Sequence, residues 1–473
     1  MAETPEEHGA VGRESPPAPG RMPPGRAALI AALALVAACM IALLVPGMRE
    51  SAPAARAETT LLQARIATRL VYFSISHEIE GEAGRSRVLS ALGFADLPVS
   101  GALAEAGANA YESLLGEAFV PSEAAVSAAI LYGYAGQDQR ALSLLGKVRD
   151  IPPIVREVYS GRVPEKHWHP GADVMRLVKK VPAGPLFLAA VYRRMGEPGK
   201  ARQAVEKGYA RSLLIVVPMI VIVLAGVVGF LIVVAALFLR PWRKSGRLQV
   251  PSFRLWQGVE LILLWMVVGV GLPLLLSPLL ERAGVEGIWL VAVLYVVPAA
   301  VAMAWFAMAS LPAGERRPGR VGWTSGRGVV AGIAGYCAIQ PLVLIVWAIL
   351  RRLNIDPTQA SPVLPIIAGA TSAGQRAAAL CLVALLVPAF EETLFRGILY
   401  GALRRSMRPV FAALISAIIF GLLHFQLTAV PVLAVLGLVF AYVYERTGSL
   451  VAPAVSHGLV NVMTTVVVMA VQQ

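Results

Sequence analysis

The chain has 473 residues, of which 57% are hydrophobic and only 15% charged. Soluble domains carry about a quarter charged residues, so an ordinary water-soluble globule is excluded. The net charge of +13 does not point to nucleic acid, because the basic residues cluster beside apolar runs, as orientation signals and lipid-facing loops do.

Residues 1–26 are rich in Pro, Gly, Ala and Glu without apolar periodicity and read as a disordered tail. The run 27–45 follows Arg21 and Arg26 and is long enough to span a bilayer. It exceeds the about 7–15 residues of a cleaved leader's apolar core, and the Ala55-Arg56-Ala57 cleavage candidate lies too far beyond it. A transmembrane signal anchor is expected there.

Charged residues return in 50–211, where Ala, Leu, Glu and Arg favour helices and a soluble helical domain is expected. Two segments share a spacing, Tyr132-x3-Gly136-x4-Ala141 and Tyr192-x3-Gly196-x4-Ala201. Each reads as a helix, a glycine turn and a second helix that sets a small residue against the first. The pattern resembles the centre of a tetratricopeptide hairpin, although any antiparallel helix pair favours the same residues. Lys166-His167-Trp168-His169 offers two histidines without a third ligand and reads as a surface loop. Cys39, Cys337 and Cys381 all lie in apolar stretches and read as small buried hydrophobes.

From 212 the chain is mostly membrane: spans and loops over 212–375, then a core over 376–470. Spans are expected near 212–239, 257–280, 288–311, 328–350, 377–403, 409–425, 429–444 and 449–470. With the first run, about nine spans make an all-α polytopic bundle carrying an inserted helical domain. If the N-terminus is cytoplasmic, the cytoplasmic loops hold thirteen Arg and Lys, among them Arg404, Arg405 and Arg408, against four on the other side. The positive-inside rule then places 50–211 outside the cytoplasm.

Ionisable residues at the bilayer centre cost about 2.5–3.5 kcal/mol each on insertion scales and by default mark function. They concentrate in three late spans. Glu391 and Glu392 sit mid-helix, and Arg396 is placed to pair with Glu392 at i, i+4, leaving Glu391 about 100° away. His424 follows Phe420 by one turn, and His457 and Asn461 share one face of the last span. Glu260, near a span end, reads as structural.

Glu391-Glu392-x3-Arg396, Phe420-x3-His424 and His457-x3-Asn461 resemble, in order, the signature motifs of the CPBP (CAAX protease and bacteriocin-processing) family of intramembrane endopeptidases, relatives of type II CAAX prenyl proteases. Phe395-Arg396-Gly397 and Tyr444-x2-Thr447-Gly448-Ser449-Leu450 are similar to that family's text. The resemblance implies hydrolysis by glutamate-activated water. No activated serine or cysteine competes as nucleophile. Glu391, desolvated, is the candidate general base. His424 would hold the water and pass the proton to the leaving amine, and His457 and Asn461 would donate to the oxyanion. Two glutamates and two histidines are also competent zinc ligands, so zinc stays an alternative to the metal-free catalysis the family favours.

The expected substrate is a membrane-associated peptide or protein, in a bacterial inner membrane, with residues 50–211 binding a protein partner. Two rivals are a non-catalytic scaffold or immunity-type protein, and a proton-relay transporter. The transporter predicts inverted repeats, and none is visible.

Overall fold

The computed structural model describes residues 22, 24–79, 99–116, 122–148, 151–162, 164, 168–238, 254–310, 323, 326–353, 355, 366–367 and 369–472. Their regular structure is entirely helical. The outer part comprises α1 (Pro24–Ile79), α2 (Val99–Ser113), α3 (Ser122–Tyr134), α4 (Asp138–Gly146), α5 (Pro153–Tyr159), α6 (Ala172–Lys180) and α7 (Gly184–Arg194). Then come α8 (Pro198–Phe238), α9 (Leu255–Arg282), α10 (Gly287–Trp305) and α11 (Gly326–Arg352). The last four are α12 (Ala373–Ser406), α13 (Pro409–Leu422), α14 (Val430–Thr447) and α15 (Val451–Gln472). The tail expected at 1–26 falls outside the described residues except Met22 and Pro24–Arg26, and those last three already belong to α1. His167 also lies outside them.

Among the described residues, seven helices are long and apolar enough to cross a membrane: Gly208–Ala235, Leu255–Arg282, Gly287–Met308, Arg327–Arg352, Ala373–Ser406, Val430–Thr447 and Val451–Ala470. The expected spans 27–45 and 409–425 appear as the shorter apolar stretches Gly25–Cys39 and Pro409–Leu422. The chain is thus a polytopic helical membrane protein.

The outer helices share a core of Tyr72, Ala104, Ile130, Leu131, Phe187 and Val205. Neither boundary expected for this domain is a break. The 56 residues of α1, about 84 Å of helix at 1.5 Å per residue, run through position 50. Likewise α8 runs through position 211. The two glycine hairpins adopt the same turn. Gly136 has φ 76° and Gly196 φ 74°, the left-handed backbone that only glycine adopts without cost. In each, the next N–H closes on the tyrosine carbonyl at 2.8 Å, from Gln137 to Tyr132 and from Glu197 to Tyr192. Ala141 and Ala201 are fully buried where the second helix meets the first. The hydroxyl of Tyr132 donates to Glu112 and holds that carboxyl below the usual range.

Water gives no reason for apolar helices to associate within a bilayer, so small residues that let backbones approach set the packing. A Cβ on Gly229 of α8 would overlap the carbonyl oxygen of Cys337 in α11. On its other side α11 presents Gly328, Gly332 and Gly335 to Val451, Val455 and Ser456 of α15. Ser456 Oγ donates to the Gly332 carbonyl at 2.7 Å across that seam.

α12 lies at the centre, packed by α9, α10, α13, α14 and α15. Every residue from Leu394 to Arg404 is buried, as expected of a helix enclosed on all sides. Ser372 and Gln375 cap its start reciprocally. Two widened π-helical turns, Leu382–Leu386 and Thr393–Tyr400, flank Val387–Glu392. The text Thr447-Gly448-Ser449-Leu450 is the turn joining α14 to α15: Gly448 takes φ 67° and its N–H returns to Tyr444. Leu450 is fully buried beneath it.

One charge counted among the loop arginines is not a loop charge. Arg404 binds Glu445 of α14 through both oxygens at 2.9 Å, and Tyr400 adds its hydroxyl at 2.7 Å. Glu445 is 1% exposed. Breaking a buried pair leaves an uncompensated charge and costs about 3–5 kcal/mol. Glu445→Gln should therefore lower the midpoint of thermal unfolding in detergent by several degrees; an unchanged midpoint would mean the pair is solvated.

Candidate active site

Glu391 and Glu392 end the short α-helical stretch between the π turns, and both are buried. π turns recur at functional sites because they rotate side chains and free carbonyls without breaking the helix. Arg396 Nη1 donates to Glu392 Oε1 at 3.0 Å, as the i, i+4 spacing predicts, with both side chains fully enclosed. Its Nη2 donates to the Gly437 carbonyl of α14 at 3.3 Å. The guanidinium also lies 4.6 Å from the Phe420 ring and 5.0 Å from that of Phe440, a cation–π enclosure.

His457, on α15, closes the cluster. Its Nδ1 lies 2.9 Å from Glu392 Oε1, so one carboxylate oxygen serves both Arg396 and His457. The imidazole stacks on Phe440, with centroids 5.0 Å apart and planes 19° from parallel. Its Nε2 is 3.9 Å from Glu391 Oε2, beyond a direct hydrogen bond and within reach of a bridging water. Glu391 Oε1 accepts from the Tyr295 hydroxyl of α10 at 3.2 Å, whereas buried Oε2 has no hydrogen-bonding partner in the protein.

The remaining two expected site residues are placed differently. His424 lies just past the end of α13 and is exposed, with Nδ1 2.8 Å from its own Phe420 carbonyl. Phe420 connects it to the cluster, its ring centroid 4.8 Å from that of His424 and 5.9 Å from that of His457. Phe425, next in sequence, has φ 56°, and it is the non-glycine residue in left-handed backbone among those described. Such strained positions gather at functional sites. Asn461 lies one turn beyond His457, but its Nδ2 donates to the Val383 carbonyl at 2.8 Å, inside the first π turn. One turn back, Gly458 meets the same turn, where a Cβ would fall 2.5 Å from the Ala384 carbonyl oxygen. α15 is thereby fastened to the widened turn just before the glutamate pair.

Tyr295, Phe440 and the Gly437 carbonyl belong to the cluster and were not among the expected residues. The signal for Tyr295 was a hydroxyl in an apolar span, which must find a partner there. Glu260, read as structural, accepts from Arg26 Nη1 at 2.6 Å and from Trp305, tying α1 to α9 and α10. A catalytic zinc needs three converging protein donors. Among the described residues no group of three His, Cys, Asp or Glu is so arranged: Glu392 Oε1 is shared by Arg396 and His457, and His424 turns to its own backbone.

Residues 373–463 match the family model described as type II CAAX prenyl endopeptidase Rce1-like. A Bacillus subtilis (strain 168) protein named "Putative membrane peptidase YdiL" is 38% identical over 85 residues, which cover 18% of this chain and 34% of that one. The chain thus spans about a third of the length of this curated relative. No solved structure matches. The matched segment 373–463, which holds the glutamate pair, both histidines and Asn461, is similar to type II CAAX prenyl endopeptidases.

Proposed function

We propose that the chain is an intramembrane endopeptidase that hydrolyses peptide bonds of a membrane-associated peptide or protein, with Glu391 as the general base. The observation that carries this reading is Glu391 Oε2: buried, without a hydrogen-bonding partner in the protein, and 3.9 Å from His457 Nε2. A water seated between the two would lose a proton to Oε2 as its oxygen bonds to the scissile carbonyl carbon. When the C–N bond breaks, the amine recovers that proton from Glu391. Glu392, held by Arg396, fixes the His457 ring and leaves Nε2 beside the reacting centre, as the ring nitrogen nearest a developing oxyanion. Asn461, engaged at Val383, supports the geometry of the base rather than the oxyanion. The reaction is metal-free in this reading, and the membrane is a bacterial inner membrane. Residues 50–211 face away from the cytoplasm and bind a protein partner.

Glu391→Gln keeps the shape and removes the base, a contribution of about 10²–10⁴ in rate. Purified in detergent and offered lipid-anchored and transmembrane peptides, the parent should cleave and this variant should not, as read by mass spectrometry. Undiminished cleavage by the variant would end the mechanism, and a parent that cleaves none of the panel would favour the non-catalytic scaffold.

Asn461→Leu leaves the Val383 carbonyl unpaired in an apolar setting, a loss of about 1–3 kcal/mol. It should reduce thermal stability and activity together. Lost activity at an unchanged unfolding midpoint would return Asn461 to the oxyanion.

The topology is open to a paired label. Ser160, at the end of α5, and Ser406, at the end of α12, are both exposed. In a background without native cysteines, Ser160→Cys should react with an impermeant thiol reagent in intact cells, and Ser406→Cys only after permeabilisation. The opposite pattern would invert the protein.

A further inference from the structure

We infer that Tyr295 is a positioning residue for the general base, selecting which oxygen of Glu391 does the chemistry. The inference rests on the reading of Glu391 given above. It adds a working part from α10, outside the matched segment 373–463.

A carboxylate has two equivalent oxygens and a side chain free to turn, so a base must be fixed before it can be effective. The Tyr295 hydroxyl donates to Oε1 at 3.2 Å, leaving Oε2 as the oxygen without a partner. Around Glu391 the polar groups divide cleanly. Tyr295 approaches from α10 and His457 from α15, while Glu392 and Arg396 on α12 are engaged with each other. His424, beyond α13, reaches the cluster only through the Phe420 ring. Tyr295 is therefore the neutral donor that can hold one oxygen of the base without adding a charge.

The phenol is itself held. Its ring stands edge-on to Phe390, with centroids 6.0 Å apart and planes at 90°. Phe390 in turn packs against Trp265 of α9 at 5.6 Å. Phe390 precedes Glu391 in sequence, so a single aromatic train from α9 to α10 fixes both the donor and the backbone that bears the acceptor. Aromatic pairs of this kind prefer such tilted geometry and resist rotation.

Tyr295→Phe removes one oxygen and keeps the ring contacts. Measured on the peptide that the parent cleaves best, kcat should fall about 10–100-fold, the worth of a hydrogen bond to a charged group. KM should stay at the parent value. In the Glu391→Gln background the same change should cost nothing further, because there is no base left to position. Parent-like kcat in Tyr295→Phe would overturn the inference, as would an equal loss in both backgrounds. Near-parent turnover by Glu391→Gln alone would instead remove the base reading and the inference with it. A second readout needs no turnover. With ¹³C-labelled glutamate, the carboxylate infrared band assigned by its loss in Glu391→Gln should shift in Tyr295→Phe, and an unmoved band would show that no hydrogen bond is made.

Discussion

Glu392 is a carboxylate enclosed on every side in the middle of a membrane bundle, and such a group persists only if its charge is answered locally. The answer comes from two helices. Arg396 supplies the cation one turn along α12, and His457 brings a ring nitrogen from α15. Arg396 creates the same demand in reverse, met by the Gly437 carbonyl and by the faces of Phe420 and Phe440. Compensating one charge thus fixes α12, α13, α14 and α15 against each other, and Glu391 is the carboxylate left outside that exchange. The site is a by-product of satisfying its neighbour.

Much of this was legible in the residues because hydrocarbon tolerates so few of them. Every acid and base inside the late apolar segments had to mean something, and the i, i+4 arithmetic paired Glu392 with Arg396 correctly. The same arithmetic put His457 and Asn461 on one face, as found, yet said nothing of what that face meets. The partner of Asn461 is a carbonyl freed by a π turn, and π turns leave no mark in a periodicity built on 3.6 residues. Arg404 was misjudged for a related reason: near a span end it looks like an orientation signal, and only the fold brings Glu445 across from α14. Tyr295 carries no charge and so escaped a search for ionisable residues.

The outer domain was legible as helical, and its glycine hairpins formed where their spacing put them. At both of its expected borders α1 and α8 run on as unbroken helices. Leu62 and Ile66, on the domain side of α1, pack against Ile215 and Ala470 beside the end of α15. The helix that carries His457 therefore ends on a surface that the outer domain helps to build. The domain is thus continuous with the helices that carry the glutamate pair, not a tethered neighbour.

Gly458 has a consequence for how such a site tolerates change. It stands beside His457, and the backbone of α15 there rests almost directly on the Ala384 carbonyl. The separation of His457 from Glu391 is thus a mechanical stop, fixed by main chain meeting main chain rather than by side chains that repack. A single added methyl at this position would act as a shim. It would widen the gap between Glu391 and the imidazole while every polar residue of the cluster remained in place, and sequence inspection would register no loss.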